Sequence, residues 1–176
     1  MEEDDPIDNL LDIVIEGMPT YDRTSFIANN SIKFKEKTLD EWSLDLSFPD
    51  LQNDLTLDEL EVYNSFFVKK SDIIMINLAS ANSSKDLSRL SYARAAMNAK
   101  QQILDERISS GARAPGAEIL DNMARTIAIN EYSSYKISCM LYEFWKIQYD
   151  KLKLIDSRLT GMNILRNVES KYASHQ

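Results

Sequence analysis

The sequence predicts an all-α protein: a long antiparallel helical hairpin with a C-terminal oligomerisation helix, preceded by an acidic, mostly irregular N-terminal arm. Three observations carry that prediction. Only four glycines and four prolines occur in 176 residues, so long uninterrupted elements are expected. From Thr56 onward, apolar residues recur at spacings of three, four and seven, the period of a helix face. Two of the four glycines and the last proline then fall together in "RISSGARAPGAEIL", residues 107–120, which divides the patterned region in two.

The arm covers residues 1–55. "IDNLLDIVI" (7–15) puts Leu10, Leu11 and Val14 on one side of one or two helical turns, ended by Gly17 and Pro19. "SFIANNSIKFKEK" (25–37) alternates at Ile32 and Phe34, as a short strand or an extended arm does. "TLDEW" (38–42) and "TLDEL" (56–60) both read as capping boxes, in which threonine caps the first turn and glutamate returns the bond. "SFPDLQNDL" between them reads as a turn or linker. Trp42, Leu44, Leu46 and Phe48 are too apolar for a free tail and are expected to dock, on this chain's helices or on a neighbouring subunit.

Residues 56–176 form the second domain. Leu60, Tyr63, Phe67, Ile74, Leu78 and Ala81 make one stripe. "SANSS" (80–84) is expected to weaken the helix there, with Ser83 or Ser84 capping the next one. Leu87, Leu90, Arg94, Met97, Gln101, Leu104 and Ile108 continue the stripe to about Ser109. Gly111 supplies a left-handed cap, and Pro115 sits in the loop or in the first turn of the next helix. Leu120, Met123, Ile127, Ile137, Leu141 and Phe144 then form a seam like that of a coiled coil, resumed by Leu152, Ile155, Leu159 and Met162. Residues 57–109 are expected to pack on 117–150, which leaves 150–170 over to pack on another copy.

Charge is divided along the chain. Residues 1–84 carry six Lys/Arg against eighteen Asp/Glu, and residues 85–176 carry fourteen against ten. An acidic front and a mildly basic back suit an interaction tail or a self-masking arm, and equally a solvated surface that happens to vary. No apolar run is long enough for a membrane span, and "MEEDD" is unlike a secretory signal or transit peptide. The single Cys139, with Ile137, Met140 and Leu141 beside it, reads as a buried thiol in a reducing compartment.

The catalytic inventory is thin, and no enzyme and no cofactor are expected. The lone His175 is second from the end, no Cys/His cluster has zinc spacing, and no glycine-rich phosphate loop follows a strand. The better lead is Tyr132, Tyr135, Tyr142, Trp145 and Tyr149, interleaved with Lys136, Lys146, Lys151 and Lys153. Flat rings beside cations suit single-stranded nucleic acid; a tyrosine stripe at heptad spacing is also an ordinary packing face. Arg89, Arg94, Lys100, Arg107 and Arg113 are a second positive set, equally readable as phosphate contacts or as surface ion pairs.

From about residue 57 to 170 the chain resembles the UvsY-type recombination mediators of tailed bacteriophages. The residues that carry the resemblance are "AMNAKQQILDER" leading to "SSGAR", the tyrosine-rich "NEYSSYKISCMLYEFWKIQYDKL", and "LKLIDSRLTGMNILRNVES" with its Leu-x-x-Ile-x-Ser-Arg core. The resemblance implies a small helical protein of the host cytoplasm that forms a ring-like homo-oligomer. It would bind single-stranded DNA and help a phage recombinase replace the single-strand-binding protein. It further implies DNA contacts from Arg94, Lys100, Arg107 and Arg113, assembly through Leu152, Ile155, Leu159 and Met162, and a structural pairing role for Arg158. Two departures stand out: Asp105 and Glu106 dilute the basic run before the glycine loop, and residues 1–55 lie outside the resemblance. The alternatives are a small terminase-like DNA-packaging subunit, which "IDNLLDI" near an acidic N-terminus suggests weakly, and a structural helical assembly protein without a nucleic-acid role.

Overall fold

A computed structural model describes residues 32–49, 51 and 55–173. The expected helical turns at 7–15 lie outside the described residues. The fold is all-α, with four helices and a minor two-stranded sheet. The chain divides into two compact units between Pro49 and Asp50.

In the first unit, β1 (Lys33–Phe34) pairs antiparallel with β2 (Lys37–Thr38), and α1 (Leu39–Asp45) follows directly. The tight turn between the strands puts both Lys35 and Glu36 at positive φ, 49° and 70°. A two-residue turn with that backbone matches the twist of the strands, but it usually takes Asn and Gly. The expected capping box at 38–42 is present: Glu41 N donates to Thr38 Oγ1 at 3.2 Å and Thr38 N donates to Glu41 Oε2 at 2.6 Å. Trp42 donates from Nε1 to the Phe34 carbonyl at 2.8 Å, fastening α1 over the turn.

The second unit begins with α2 (Leu57–Ser109), 53 residues and about 80 Å at the rise of a helix. Its capping box is also present, with Glu59 N on Thr56 Oγ1 at 3.3 Å and Thr56 N on Glu59 Oε2 at 2.8 Å. Gly111, at φ +64°, ends it in a Schellman arrangement: Ala112 N bonds Arg107 O at 2.9 Å and Gly111 N bonds Ile108 O at 3.1 Å. Then come α3 (Ala117–Ile127) and α4 (Ile129–Ala173). Lys100 pairs with Asp121, Tyr92 touches Tyr132, and Ser88 bonds Ser138. Lys85 lies over Tyr142, and Arg166 donates to the Leu55 carbonyl. These partners move up one helix as they move down the other, so α3 and α4 run antiparallel to α2.

Four features differ from the sequence expectation. Helix α2 passes through 80–84 without a break, and neither Ser83 nor Ser84 caps a new helix. Asn82, Ser83 and Ser84 face solvent, while Ala81, 1% exposed, holds the turn against the core; tertiary packing overrides weak propensity. The segment 117–150 is instead interrupted at Ala128 (φ −90°, ψ 32°). No glycine or proline lies there; the interruption falls where Ala124 and Ala128, 0% and 3% exposed, are both buried. The C-terminal segment is not left over, because Leu152 and Leu159 are buried within the chain, at 5% and 3% exposure. Last, the apolar stripe of α2 splits. Leu60, Tyr63, Ile74 and Ala81 are buried as expected, but beyond residue 85 the core is built from Ala99 and Ile103 with Ala124, and Leu120 and Met123 pack against it. The larger residues Leu87, Leu90, Met97 and Ile108 face outward.

Candidate functional site

The four basic residues singled out in the sequence do not form one patch. Arg94 shares the outward side of α2 with Leu90 and Met97, three or four residues away. Lys100 lies about a third of a turn round α2 from Arg94, where it pairs with Asp121 of α3. Arg107, seven residues on, returns to the side of Lys100. Arg113 is exposed in the loop after Gly111. Asp105 and Glu106 are not paired with Arg107. They accept instead from Gln101 Nε2 at 2.8 Å and Gln102 Nε2 at 2.9 Å, each four residues back. Among the described residues Arg94, Arg107 and Arg113 have no salt-bridge partner.

Sequence reasoning singled out Arg89 without its place, and missed Lys85 and Tyr92. Lys85, Arg89, Lys100 and Arg107 are spaced 4, 11 and 7, which returns them to one edge of α2. That spacing was the available signal. The tyrosines of α4 line the facing edge. Lys85 Nζ sits 3.4 Å from the ring centroid of Tyr142, and Lys153 Nζ sits 4.4 Å from that of Tyr149. Tyr92 stacks on Tyr135 with centroids 6.1 Å apart and planes within 5°, and tilts against Tyr132 at 5.2 Å. Arg125 and Lys136 flank the Tyr132 ring at 5.4 Å and 5.5 Å. The result is a ladder of half-buried rings, each beside a cation or another ring. Tyr92, Lys100, Asp121 and Arg125 line a groove of about 440 Å³ at one end of it.

Trp145 does not belong to this edge. It is 0% exposed, in edge contact with Phe144 at 5.3 Å, and serves the core. Cys139 is half-buried rather than fully buried. Its side-chain hydrogen bond with Tyr135 holds the tyrosine hydroxyl above its usual range, reinforced by the electrostatic influence of Cys139 and Asp86 and by partial burial, and opposed by Arg89.

Of the expected assembly residues, Leu152 and Leu159 are buried, and Ile155 and Met162 are half-buried. Arg158, between them, donates from Nη2 to the Leu51 carbonyl at 2.9 Å. Among the described residues, no group of three or more His, Cys, Asp or Glu is placed to hold a metal ion, and no helix is long and apolar enough to cross a membrane. No protein-family model, curated protein or solved structure matches the chain.

Proposed function

We propose that this chain is an oligomeric accessory protein for single-stranded DNA, one that helps load a phage recombinase and displace single-strand-binding protein. The observation that carries the reading is the edge on which Lys85 lies over the Tyr142 ring and Tyr92 stacks on Tyr135, with Arg89, Lys100 and Arg107 recurring on the same side of α2. Single strands are held by cations that neutralise phosphates and by aromatic faces on which bases stack, without regard to sequence. Phosphates run along the cations of α2 in this reading, and bases displace Lys85 and Lys153 from the rings they now cover. The architecture that presents this edge is a long helical hairpin, and Leu152 and Leu159 serve it by bracing the far end of α4.

Acids temper the edge. Asp86, Asp121, Glu143 and Asp150 lie within 4.0 Å of Arg89, Lys100, Lys146 and Lys153. These pairs are exposed and hold little energy, so a polyanion can compete for the cations as salt falls.

The test is anisotropy of a labelled oligothymidylate with the full chain across a salt series. Binding is expected at low salt, with a slope that shrinks by about 0.7 for each phosphate-contacting cation removed. Lys85→Ala, Arg89→Ala and Arg107→Ala are expected to reduce it together. A chain that binds no single strand at low salt overturns the reading.

A further inference from the structure

Much of the apolar surface of α2 beyond residue 85 faces away from α3 and α4. Leu87, Leu90, Met97 and Ile108 are 69%, 62%, 67% and 75% exposed. With the half-buried Leu104 they recur at spacings of 3, 7, 7 and 4, the repeat of a helix that packs along another helix. Among the described residues no helix lies in that seam, because α3 and α4 occupy the side of Ala99 and Ile103. From Leu87 to Ile108 the seam runs about 31 Å along the helix axis, the length of about six turns of a partner helix.

The order of residues along the seam is self-complementary about Met97. Leu90 lies seven residues before it and Leu104 seven after. Leu87 lies ten before and Ile108 eleven after. Arg94 lies three before and Gln101 four after, and on the flank Asp86 lies eleven before and Arg107 ten after. We propose that this stripe is the contact between two copies of this chain, packed antiparallel about a two-fold axis at Met97. An isologous contact requires that residue i meet j and that j meet i. Here Leu87 and Leu90 cover Ile108 and Leu104 of the second copy. Arg94 reaches the side-chain oxygen of Gln101, and Asp86 comes beside Arg107 at both ends. A parallel pair in register would set Arg94 against Arg94 in the seam, which like charge disfavours. The proposal does not depend on the DNA reading, and its test contains no DNA.

Sedimentation equilibrium of the full chain is the measurement, with circular dichroism to check that helix content is kept. The wild type is expected to sediment as an even number of chains. Leu90→Glu and Met97→Glu, at positions already exposed, are expected to halve that number. Asp86→Arg is expected to weaken association about tenfold or more by facing Arg107, and Asp86→Arg combined with Arg107→Asp is expected to restore it. Should the glutamate variants lose helix, the charge swap decides, since both its positions are at the surface. A monomeric wild type would place some other segment or another protein on the stripe. That result overturns the proposal, as does an odd number of chains, a mass unmoved by folded glutamate variants, or a charge swap that fails to restore association.

Discussion

Arg158, on the last helix, donates from Nη2 to the carbonyl of Leu51 at 2.9 Å, joining residues 107 apart in sequence. Leu51 itself is buried, at 8% exposure. A buried carbonyl that loses a charged donor keeps its desolvation cost. Arg158→Ala is therefore expected to lower the stability of the second unit by about 1–3 kcal/mol, read as a shifted denaturant midpoint. Arg158→Lys, with a donor of different reach, should recover only part of it.

The core beyond residue 85 is made of small residues, and that sets its tolerance. Ala99 and Ala124 are 3% and 0% exposed and pack with Ile103. Ala124→Leu adds volume where no space is free, at an expected cost of about 1–3 kcal/mol. Trp145→Ala empties the largest fully buried site among the described residues and is expected to cost about 3–5 kcal/mol. Chemical denaturation of both variants checks the pair.

Ser138 bonds in two directions. Its Oγ donates to the Ser134 carbonyl at 2.9 Å, so its contact with Ser88 Oγ, also 2.9 Å, takes its proton from Ser88. The bond crosses from α2 to α4. A double-mutant cycle with Ser88→Ala and Ser138→Ala should give a coupling of about 0.5–1.5 kcal/mol. Additive losses would show that the two hydroxyls act separately.

The capping boxes carry a pH dependence. The Glu59 carboxylate is held below its usual range, first by the Thr56 backbone N–H and then by the Thr56 hydroxyl. A depressed carboxylate contributes stability above the ordinary carboxylate range and loses it as pH falls through the lowered value. Glu59→Gln should therefore flatten the acid side of the stability profile, between about pH 5 and pH 3. Thr56→Ala should cost about 1 kcal/mol at neutral pH. Urea titrations at several pH values measure both.

Rings and cations should leave different signatures in DNA binding. Tyr142→Ala and Tyr149→Ala remove stacking faces without removing charge, so each is expected to weaken a single strand by about 1–3 kcal/mol at unchanged salt slope. Lys85→Ala should act mainly through the slope. A tyrosine variant that alters nothing would mark those rings as packing alone.

The helix starts at Thr38 and Thr56 and the left-handed stop at Gly111 were legible because each rests on local chemistry that three or four residues complete. The side of α2 that becomes core was not. Periodicity finds a face but does not say what covers it, and Leu87, Leu90, Met97 and Ile108 outweigh Ala99 and Ile103 on any hydrophobic measure. The alanines win inside the chain because they let α3 approach closely. The break at Ala128 has no composition signal. Arg94, Lys100, Arg107 and Arg113 look alike as a list, yet an advance of six residues turns Lys100 about 120° round the helix from Arg94. The tyrosines at 135, 142 and 149 were found by their sevenfold spacing, whereas Tyr92, which stacks on one of them, stands outside that repeat.

The antiparallel course of α2 and α4 also orders how the chain can close. Lys100 and Asp121 are 21 residues apart, Ser88 and Ser138 are 50 apart, and Leu55 and Arg166 are 111 apart. Contacts beside Gly111 form across the shortest loop, and each later rung has to order only the chain added since the rung before it. Loop-closure entropy grows with the logarithm of length, so pairing begins most cheaply at the Gly111 end and zips outward. The bonds from Arg158 and Arg166 to the chain ahead of α2 are the last rungs to form and the first to open.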